Sequence, residues 1–178
     1  MDKYSILKQY YGHSAFRAGQ EALIDAILSG RDALCVMPTG GGKSLCYQIP
    51  ALLLPSITLV VSPLISLMKD QVAALKSAGV PAAYINSSLT GEQIRTVYAR
   101  TRKGAYKLIY VAPERLETNS FLSLMQEMDV SFLAVDEAHC ISQWGQDFRP
   151  SYLGIVDFIN ALPHRPIVAA YTATATKQ

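Results

Sequence analysis

The feature that most constrains this chain is a regular alternation between short apolar runs and segments with helical spacing. The apolar runs are rich in β-branched residues and are continuously apolar, which is typical of strands covered on both faces. Strands that alternate with helices in this rhythm predict an α/β fold with a mostly parallel, doubly wound sheet and helices on both faces. The predicted strands are Ala33 to Met37, Thr58 to Ser62, Ala82 to Ile85, Leu108 to Val111, Phe132 to Val135 and Ile167 to Tyr171.

Helical spacing between these runs is supported by local start and stop signals. Leu23, Ile24, Ile27 and Leu28 form one apolar stripe, which Gly30 closes. A second stripe consists of Leu64, Leu67, Met68, Val72 and Leu75. Thr90 with Gln93 three residues later predicts a capping box at the start of a helix that runs to about Arg102.

Composition excludes several classes of protein. The 178 residues suffice for one domain with a large core, and only 17% of them are charged, against roughly 25% in an average soluble domain. No apolar run approaches the ~20 residues of a membrane-spanning helix, and the N-terminus lacks a secretory apolar region. Three widely spaced cysteines form no metal-binding pattern, which favours a reducing intracellular setting. A formal charge of +2 is too small to indicate nucleic-acid binding by itself.

A glycine-rich turn between the first predicted strand and the helical run Leu45 to Leu54 is the strongest local signal. Glycines allow successive backbone N–H groups to converge on an anion at a helix N-terminus. Lys43 would then reach the β- and γ-phosphates of a nucleotide, and the Ser44 hydroxyl would bind Mg²⁺. The alternative is a glycine-rich connection with an incidental lysine. The candidate nucleotide-binding residues here are Thr39, Gly40, Gly41, Gly42, Lys43 and Ser44.

Two adjacent carboxylates follow the buried run Phe132 to Val135. Because ligands of open α/β sheets bind beyond the carboxyl ends of the strands, these carboxylates should face the crevice that contains Lys43. Asp136 would hold Mg²⁺ through water, and Glu137 would take a proton from an attacking water. Each acid alone could equally be a solvated residue at a strand end.

Four longer strings closely resemble segments of RecQ-family DNA helicases, and three short ones resemble motifs I, II and III of superfamily 2 helicases. The long strings are Met37 to Ala51, Val60 to Val72, Ala112 to Leu116 and Val135 to Pro150; the short ones are residues 39–44, 136–139 and 172–174. The resemblance covers nearly the whole chain and corresponds to the first RecA-like lobe of such enzymes. It implies a three-layer P-loop NTPase fold spanning residues 1–178 as one domain.

The resemblance also implies an adenine-recognition segment within residues 1–30. Gln20 would read the adenine edge with its amide, and Arg17 would support it. His13 stands where family members often place an aromatic ring against the base.

The family's aromatic-rich loop, which senses single-stranded DNA, corresponds to the segment from Cys140 to Tyr152. Exposed rings and a guanidinium would stack on bases at about 1–3 kcal/mol each, although the rings could instead fill core. Ser62 and Arg115 would contact the DNA backbone, although a helix cap and a surface arginine explain them nearly as well. His139, Thr172 and Thr174 would link nucleotide state to DNA binding. The ring and guanidinium candidates are Trp144, Phe148 and Arg149.

As a whole, the resemblance implies an ATP- and Mg²⁺-dependent 3′→5′ DNA helicase of recombination and repair, acting on single-stranded and partly duplex DNA. Such an enzyme would be cytoplasmic if bacterial and nuclear if eukaryotic. Its second RecA-like lobe would donate an arginine for hydrolysis. That lobe and the zinc-binding and winged-helix regions lie outside this sequence, so the lobe alone should bind ATP but not unwind DNA. Three alternatives remain: an RNA-directed superfamily 2 motor, a non-catalytic nucleotide-gated module and a P-loop transporter ATPase. The adjacent Asp-Glu-Ala-His argues against the transporter.

Overall fold

The computed structural model describes residues 1–38, 42–141 and 149–173. Within them, six parallel strands form one sheet in the order β1-β6-β5-β2-β4-β3. This confirms the predicted α/β class. The strands are β1 Ala33–Val36, β2 Ile57–Val61, β3 Ala82–Ile85, β4 Leu108–Val111, β5 Val130–Val135 and β6 Ile167–Thr172.

Helices cover both faces of the sheet and enclose separate apolar cores. Helices α2, α3 and α4 pack on one face, α5, α6 and α7 pack on the other, and α1 packs on α2 and α3. Their bounds are α1 Lys3–Tyr11, α2 Gln20–Leu28, α3 Leu45–Leu53, α4 Ile65–Ser77, α5 Gly91–Arg102, α6 Asn119–Glu127 and α7 Gly154–Ala161. Short 3-10 helices lie at Pro113–Glu117, Ala138–Ile141 and Pro150–Leu153. None of the described helices has the length and apolar character needed to cross a lipid bilayer.

The predicted capping box at the start of α5 is confirmed. The Thr90 hydroxyl accepts a hydrogen bond from the Gln93 N–H at 3.2 Å, and the Gln93 side chain accepts one from the Thr90 N–H at 2.8 Å. The two bonds satisfy N–H groups that have no partner within the first turn of a helix. A four-residue signal in the sequence therefore fixes where α5 begins.

The prediction that every strand is covered on both faces is wrong for β1. Leu34 is 71% exposed and Val36 is 50% exposed, although Cys35 between them is buried. The core beneath α5, α6 and α7 contains residues of β2 to β5 and reaches β6 only at the partly buried Val168. Because β1 lies at the sheet edge beyond β6, one of its faces stays outside that core. Leu67, which was assigned to the apolar stripe of α4, is likewise half exposed.

The parallel arrangement brings the carboxyl ends of all six strands to one edge of the sheet. The Asp136 N–H donates to the Val61 carbonyl at 2.8 Å, and the Met37 N–H donates to the Thr172 carbonyl at 3.0 Å. These bonds continue the sheet by one residue beyond β5 and β1. The segments that carry Lys43, Asp136 and Thr172 therefore leave the sheet side by side.

Candidate nucleotide-binding site

A cavity of about 520 Å³ opens at this edge of the sheet. It is lined by the segment before α2, by the start of α3, by α4 and by the residues after β5. Its polar lining residues include most of the described candidates for nucleotide binding: His13, Arg17, Gln20, Lys43, Ser44, Asp136 and Glu137.

Lys43 lies between the two acids that follow β5. Its ammonium is 3.0 Å from Asp136 Oδ1 and 3.5 Å from Glu137 Oε1, and the three side chains are each about one-fifth exposed. Burial alone would lower the pKa of Lys43, but attraction to Asp136 and Glu137 outweighs it and raises that pKa above its ordinary value. The site thus keeps a permanent cation beside two carboxylates.

The peptide between Asp136 and Glu137 is held at both of its polar ends. Tyr152 donates its hydroxyl proton to the Asp136 carbonyl at 2.8 Å, and the Glu137 N–H donates to Asp136 Oδ1 at 2.9 Å. Glu137 has a φ of 53°, the one positive value among the described residues other than glycine. Because a side chain in this left-handed region costs about 1–2 kcal/mol, the surrounding contacts must maintain it.

His139 joins Glu137 to the end of β6. Its Nε2 is 3.3 Å from Glu137 Oε2, and its Nδ1 is 3.1 Å from the Thr172 hydroxyl. The Thr172 side chain is buried, so the hydroxyl fixes the orientation of the ring. The structure thus brings together two of the three residues expected to couple nucleotide state to DNA binding.

Gln20 ties the segment before α2 to the glycine loop. Its side-chain oxygen accepts a hydrogen bond from the Arg17 N–H at 2.8 Å, and its amide donates to the Gly42 carbonyl at 3.2 Å. Gly42 has a φ of 78°, and a Cβ at this position would collide with Gln20 Nε2. Glycine is therefore required at Gly42 both for backbone conformation and for the approach of Gln20. Arg17 and His13 are exposed on the same wall.

A largely buried polar network along the wall of this cavity was not predicted. Gln48 on α3 accepts from the Tyr11 hydroxyl at 2.7 Å and donates to Gln71 on α4 and to the Tyr110 hydroxyl, both at 3.0 Å. Tyr110 in turn donates to the Tyr47 hydroxyl at 3.2 Å. Burial raises the pKa of Tyr110 to about 12, although its bonds to Tyr47 and Gln48 oppose that rise. The available signal was a lone glutamine within the otherwise apolar helix α3.

The residues expected to contact nucleic acid lie in different surroundings from one another. Ser62 is buried, lines the cavity, and accepts a hydrogen bond from the Leu64 N–H at 3.3 Å, in the turn just before α4. Arg115 lies in a separate hollow of about 350 Å³ together with Ile65 and Ser87, and Arg149 is exposed.

Of the two alternatives for the rings of the aromatic-rich segment, exposure or core filling, core filling holds for Tyr152, which is 0% exposed. Its ring fills core beneath α7 while its hydroxyl reaches Asp136, so it is not a stacking surface. The remaining candidates lie outside the described residues: Thr39, Gly40, Gly41, Trp144, Phe148 and Thr174.

The donor set fits a magnesium ion that arrives bound to phosphates. In the part of the chain that the structure describes, no cluster of three or more His, Cys, Asp or Glu side chains could hold a metal ion alone. The Asp136 carboxylate and the Ser44 hydroxyl both line the cavity and offer the hard oxygen atoms that Mg²⁺ prefers. Mg²⁺ is commonly bound through one or two such groups together with substrate phosphates and water.

Comparison with solved structures supports the fold. A structure described as DUF1998 helicase MrfA bound to DNA superimposes with a TM-score of 0.79 at 17% identity, covering 98% of this chain and 26% of that one. A hypothetical ATP-dependent RNA helicase from Sulfolobus tokodaii superimposes with a TM-score of 0.71 at 20% identity, covering 97% of this chain and 50% of that one. Both likenesses concern the RecA-like fold alone.

Sequence comparison identifies the family. The chain is 51% identical over 175 residues to the ATP-dependent DNA helicase RecQ of Bacillus subtilis, covering 98% of this chain and 30% of that protein. It is 54% identical to RecQ of Haemophilus influenzae, covering 96% of this chain and 28% of that protein. The resemblance to RecQ helicases is thus confirmed, and the chain spans under a third of the length of these relatives. Because the family model for DEAD/DEAH box helicases matches residues 17–178, the chain belongs to the DEAD/DEAH box helicase family.

Proposed function

We propose that this chain is the ATP-binding lobe of an ATP-dependent 3′→5′ DNA helicase of the RecQ type. The observation that carries the proposal is the position of the Lys43 ammonium, 3.0 Å from Asp136 and 3.5 Å from Glu137 at the carboxyl edge of the sheet. A lysine that follows a glycine loop and meets two carboxylates suits a nucleoside triphosphate with its cation.

Phosphate binding falls to residues 39–44 and to the N-terminus of α3. The N–H groups in the first turn of a helix lack intrahelical partners and carry the positive end of the helix dipole. A bound triphosphate competes with Asp136 for Lys43, whose raised pKa keeps it charged for this purpose. Gln20, Arg17 and His13 lie on the wall where the base would bind.

Hydrolysis would use Glu137 as the base that takes the proton of the attacking water. Mg²⁺, held by Ser44 and Asp136, would neutralise charge on the β- and γ-phosphates. His139 lies 3.3 Å from the Glu137 carboxylate and 3.1 Å from Thr172, so it orients Glu137 and connects it to the segment after β6. Thr174 would extend that connection.

DNA is the favoured nucleic acid because the RecQ relatives at 51% and 54% identity are named DNA helicases. The hollow that contains Arg115, Ile65 and Ser87 lies between the segments Val60 to Val72 and Ala112 to Leu116. Both segments would contact the DNA backbone. Trp144, Phe148 and the exposed Arg149 would contact unpaired bases. An RNA-directed motor is the second candidate, and the RNA helicase likeness supports it only at the level of fold.

A second RecA-like lobe would complete the enzyme by placing an arginine side chain against the γ-phosphate. Such an arginine accelerates hydrolysis by roughly 10³–10⁵-fold. We therefore expect this lobe alone to bind ATP with Mg²⁺ and to hydrolyse it very slowly. Unwinding would require both lobes.

The test compares Glu137→Gln with Glu92→Gln in a protein that joins this lobe to a second one. Glu137→Gln should retain affinity for an ATP analogue within about threefold while DNA-stimulated hydrolysis falls at least 10²-fold. Glu92 is exposed in the first turn of α5 and lines neither the cavity nor the hollow that contains Arg115, so its variant should leave both quantities unchanged. Equal losses of affinity and turnover for Glu137→Gln would mean that Glu137 is architectural, and stronger stimulation by RNA than by DNA would favour the second candidate.

A further inference from the structure

Tyr152 combines complete burial with a hydrogen bond to the acidic pair. Its ring is 0% exposed, and its hydroxyl donates to the Asp136 carbonyl at 2.8 Å. A ring that only filled core could equally be phenylalanine. The hydroxyl therefore calls for a separate account.

The peptide that Tyr152 contacts is the one that orients both acids. On one side of this peptide, Asp136 supplies the carboxylate that pairs with Lys43; on the other, Glu137 begins in the left-handed region at a φ of 53°. Rotation of the peptide plane would turn the Asp136 carbonyl away from Tyr152 and would move Glu137 toward ordinary backbone angles. The phenol thus holds the peptide in the orientation that places both carboxylates beside Lys43.

Tyr152 is itself held rigidly. It belongs to the 3-10 helix Pro150–Leu153, and its N–H donates to the Arg149 carbonyl at 3.0 Å. The Arg149 N–H donates to the Cys140 carbonyl at 2.9 Å, which joins this helix to the turn that follows Glu137. Burial raises the pKa of Tyr152 well above its usual range, which favours the protonated hydroxyl that donates to the Asp136 carbonyl.

We propose that Tyr152 is a positioning residue, whose hydroxyl fixes the Asp136–Glu137 peptide in the orientation needed to receive the magnesium–nucleotide complex. The inference rests on the proposed function, since it concerns the same site. It assigns Tyr152 a role different from base stacking, and it predicts an effect on the contribution of Mg²⁺ to binding rather than on binding as a whole.

Calorimetry with a non-hydrolysable ATP analogue, with and without Mg²⁺, tests this inference on the 178-residue chain. Tyr152→Phe keeps the ring and removes the hydroxyl. We expect unchanged affinity for the analogue without Mg²⁺ and a loss of about tenfold in the strengthening that Mg²⁺ provides, because an unsatisfied buried carbonyl lets the peptide turn.

Tyr98→Phe is the matched control. Tyr98 is 8% exposed in the same core, and its hydroxyl contacts Ser120 at 3.5 Å, away from the cavity. It should lose no Mg²⁺-dependent strengthening. Replacement of Tyr152 by para-aminophenylalanine keeps an N–H donor at the same place, and it should restore the strengthening to within about threefold of wild type.

The outcomes separate the two proposals. A Tyr152→Phe chain with the same Mg²⁺-dependent strengthening as wild type overturns the positioning role while leaving the proposed function intact. If Tyr152→Phe does not fold, the para-aminophenylalanine chain decides: a folded chain without Mg²⁺-dependent strengthening overturns the inference. Absence of Mg²⁺-dependent binding in the wild-type chain itself would instead contradict the proposed function, and the inference would fall with it.

Discussion

The two ends of the cavity are built from different kinds of interaction. At the acidic end, Lys43 pairs with Asp136 and Glu137 through charged side chains, and His139 contacts Glu137. At the opposite end, Gln20 is fixed by hydrogen bonds to backbone groups of Arg17 and Gly42. Charged side chains can exchange one partner for another, whereas the oxygen and the nitrogen of the Gln20 amide are each held by a backbone group.

This difference teaches which end should respond to a ligand. The acidic end holds a cation and two anions that a magnesium–triphosphate can rearrange without leaving any charge unpaired. The Gln20 end instead fixes where Gly42, just before α3, lies relative to α2. Removing a group from the acidic end should therefore affect binding energy, while changes at the Gln20 end should affect stability and base preference.

The largest expected effect is that of Lys43→Ala. Loss of the ammonium removes the charge-assisted contact to phosphates and leaves Asp136 and Glu137 facing them, so affinity for the magnesium–ATP analogue should fall at least about 100-fold. Calorimetry measures this directly. Lys69→Ala, on the exposed side of α4, is the control and should bind as wild type does. A loss of less than about threefold for Lys43→Ala would place the phosphates elsewhere.

Gly42→Ala tests the contact between Gln20 and Gly42 at the opposite end of the cavity. We expect a loss of about 2–3 kcal/mol in the free energy of unfolding, because the new Cβ is strained at a φ of 78° and also collides with Gln20. Urea denaturation measures the loss.

Gly104→Ala separates the two causes of that loss. Gly104 has a φ of 75° but no neighbour within 4 Å of an added Cβ, so its variant should lose only about 1 kcal/mol. In a Gln20→Ala background, Gly42→Ala should cost no more than Gly104→Ala does. Equal losses for both glycines in the wild-type background would show that Gln20 does not constrain the loop.

Tyr110, on the cavity wall between the two ends, should make the free energy of unfolding depend on pH in the alkaline range. The pKa of Tyr110 is raised to about 12 in the folded protein, whereas an unfolded tyrosine ionises near 10. The unfolded chain therefore loses this proton first, and the free energy of unfolding should decrease between pH 10 and pH 12, by on the order of 2 kcal/mol from this residue. Tyr110→Phe should make the decrease shallower, as followed by denaturation at each pH. If the free energy of unfolding of Tyr110→Phe decreases with pH as steeply as that of wild type, this account is contradicted.

The smallest expected effect is that of Gln20→Ala on nucleotide choice. Without the amide, affinity for the ATP analogue should fall about tenfold, whereas affinity for inorganic tripolyphosphate should remain within about twofold of wild type. Competition calorimetry measures both. Gln126→Ala, whose amide contacts the Ala161 carbonyl at the protein surface, is the control. Equal losses for both ligands would mean that Gln20 acts only through the loop.

Much of the fold and the acidic end could be predicted because local sequence determines them. Continuous apolar runs marked all six strands to within two residues. The rule that parallel strands end at one edge of a sheet predicts that Lys43 and Asp136 lie together. The partners of Gln48, by contrast, come from positions 11, 71 and 110, and no local pattern records such distant contacts.

Distant contacts also decide the two features of the fold that the sequence left open or misplaced. The sequence around Tyr152 is compatible with an exposed or a buried ring, and only the packing of the 3-10 helix against α7 and the acidic pair decides. The exposed face of β1 could not be predicted either, because an apolar strand has the same local pattern at the edge of a sheet as at its centre.

A crystal structure of the chain with Mg²⁺ and a non-hydrolysable ATP analogue tests the central claim most directly. The account predicts that the Lys43 ammonium leaves Asp136 and lies within hydrogen-bonding distance of the β- and γ-phosphates, with the metal ion beside Ser44 and Asp136. A triphosphate bound elsewhere, with the 3.0 Å contact between Lys43 and Asp136 unchanged, would contradict it.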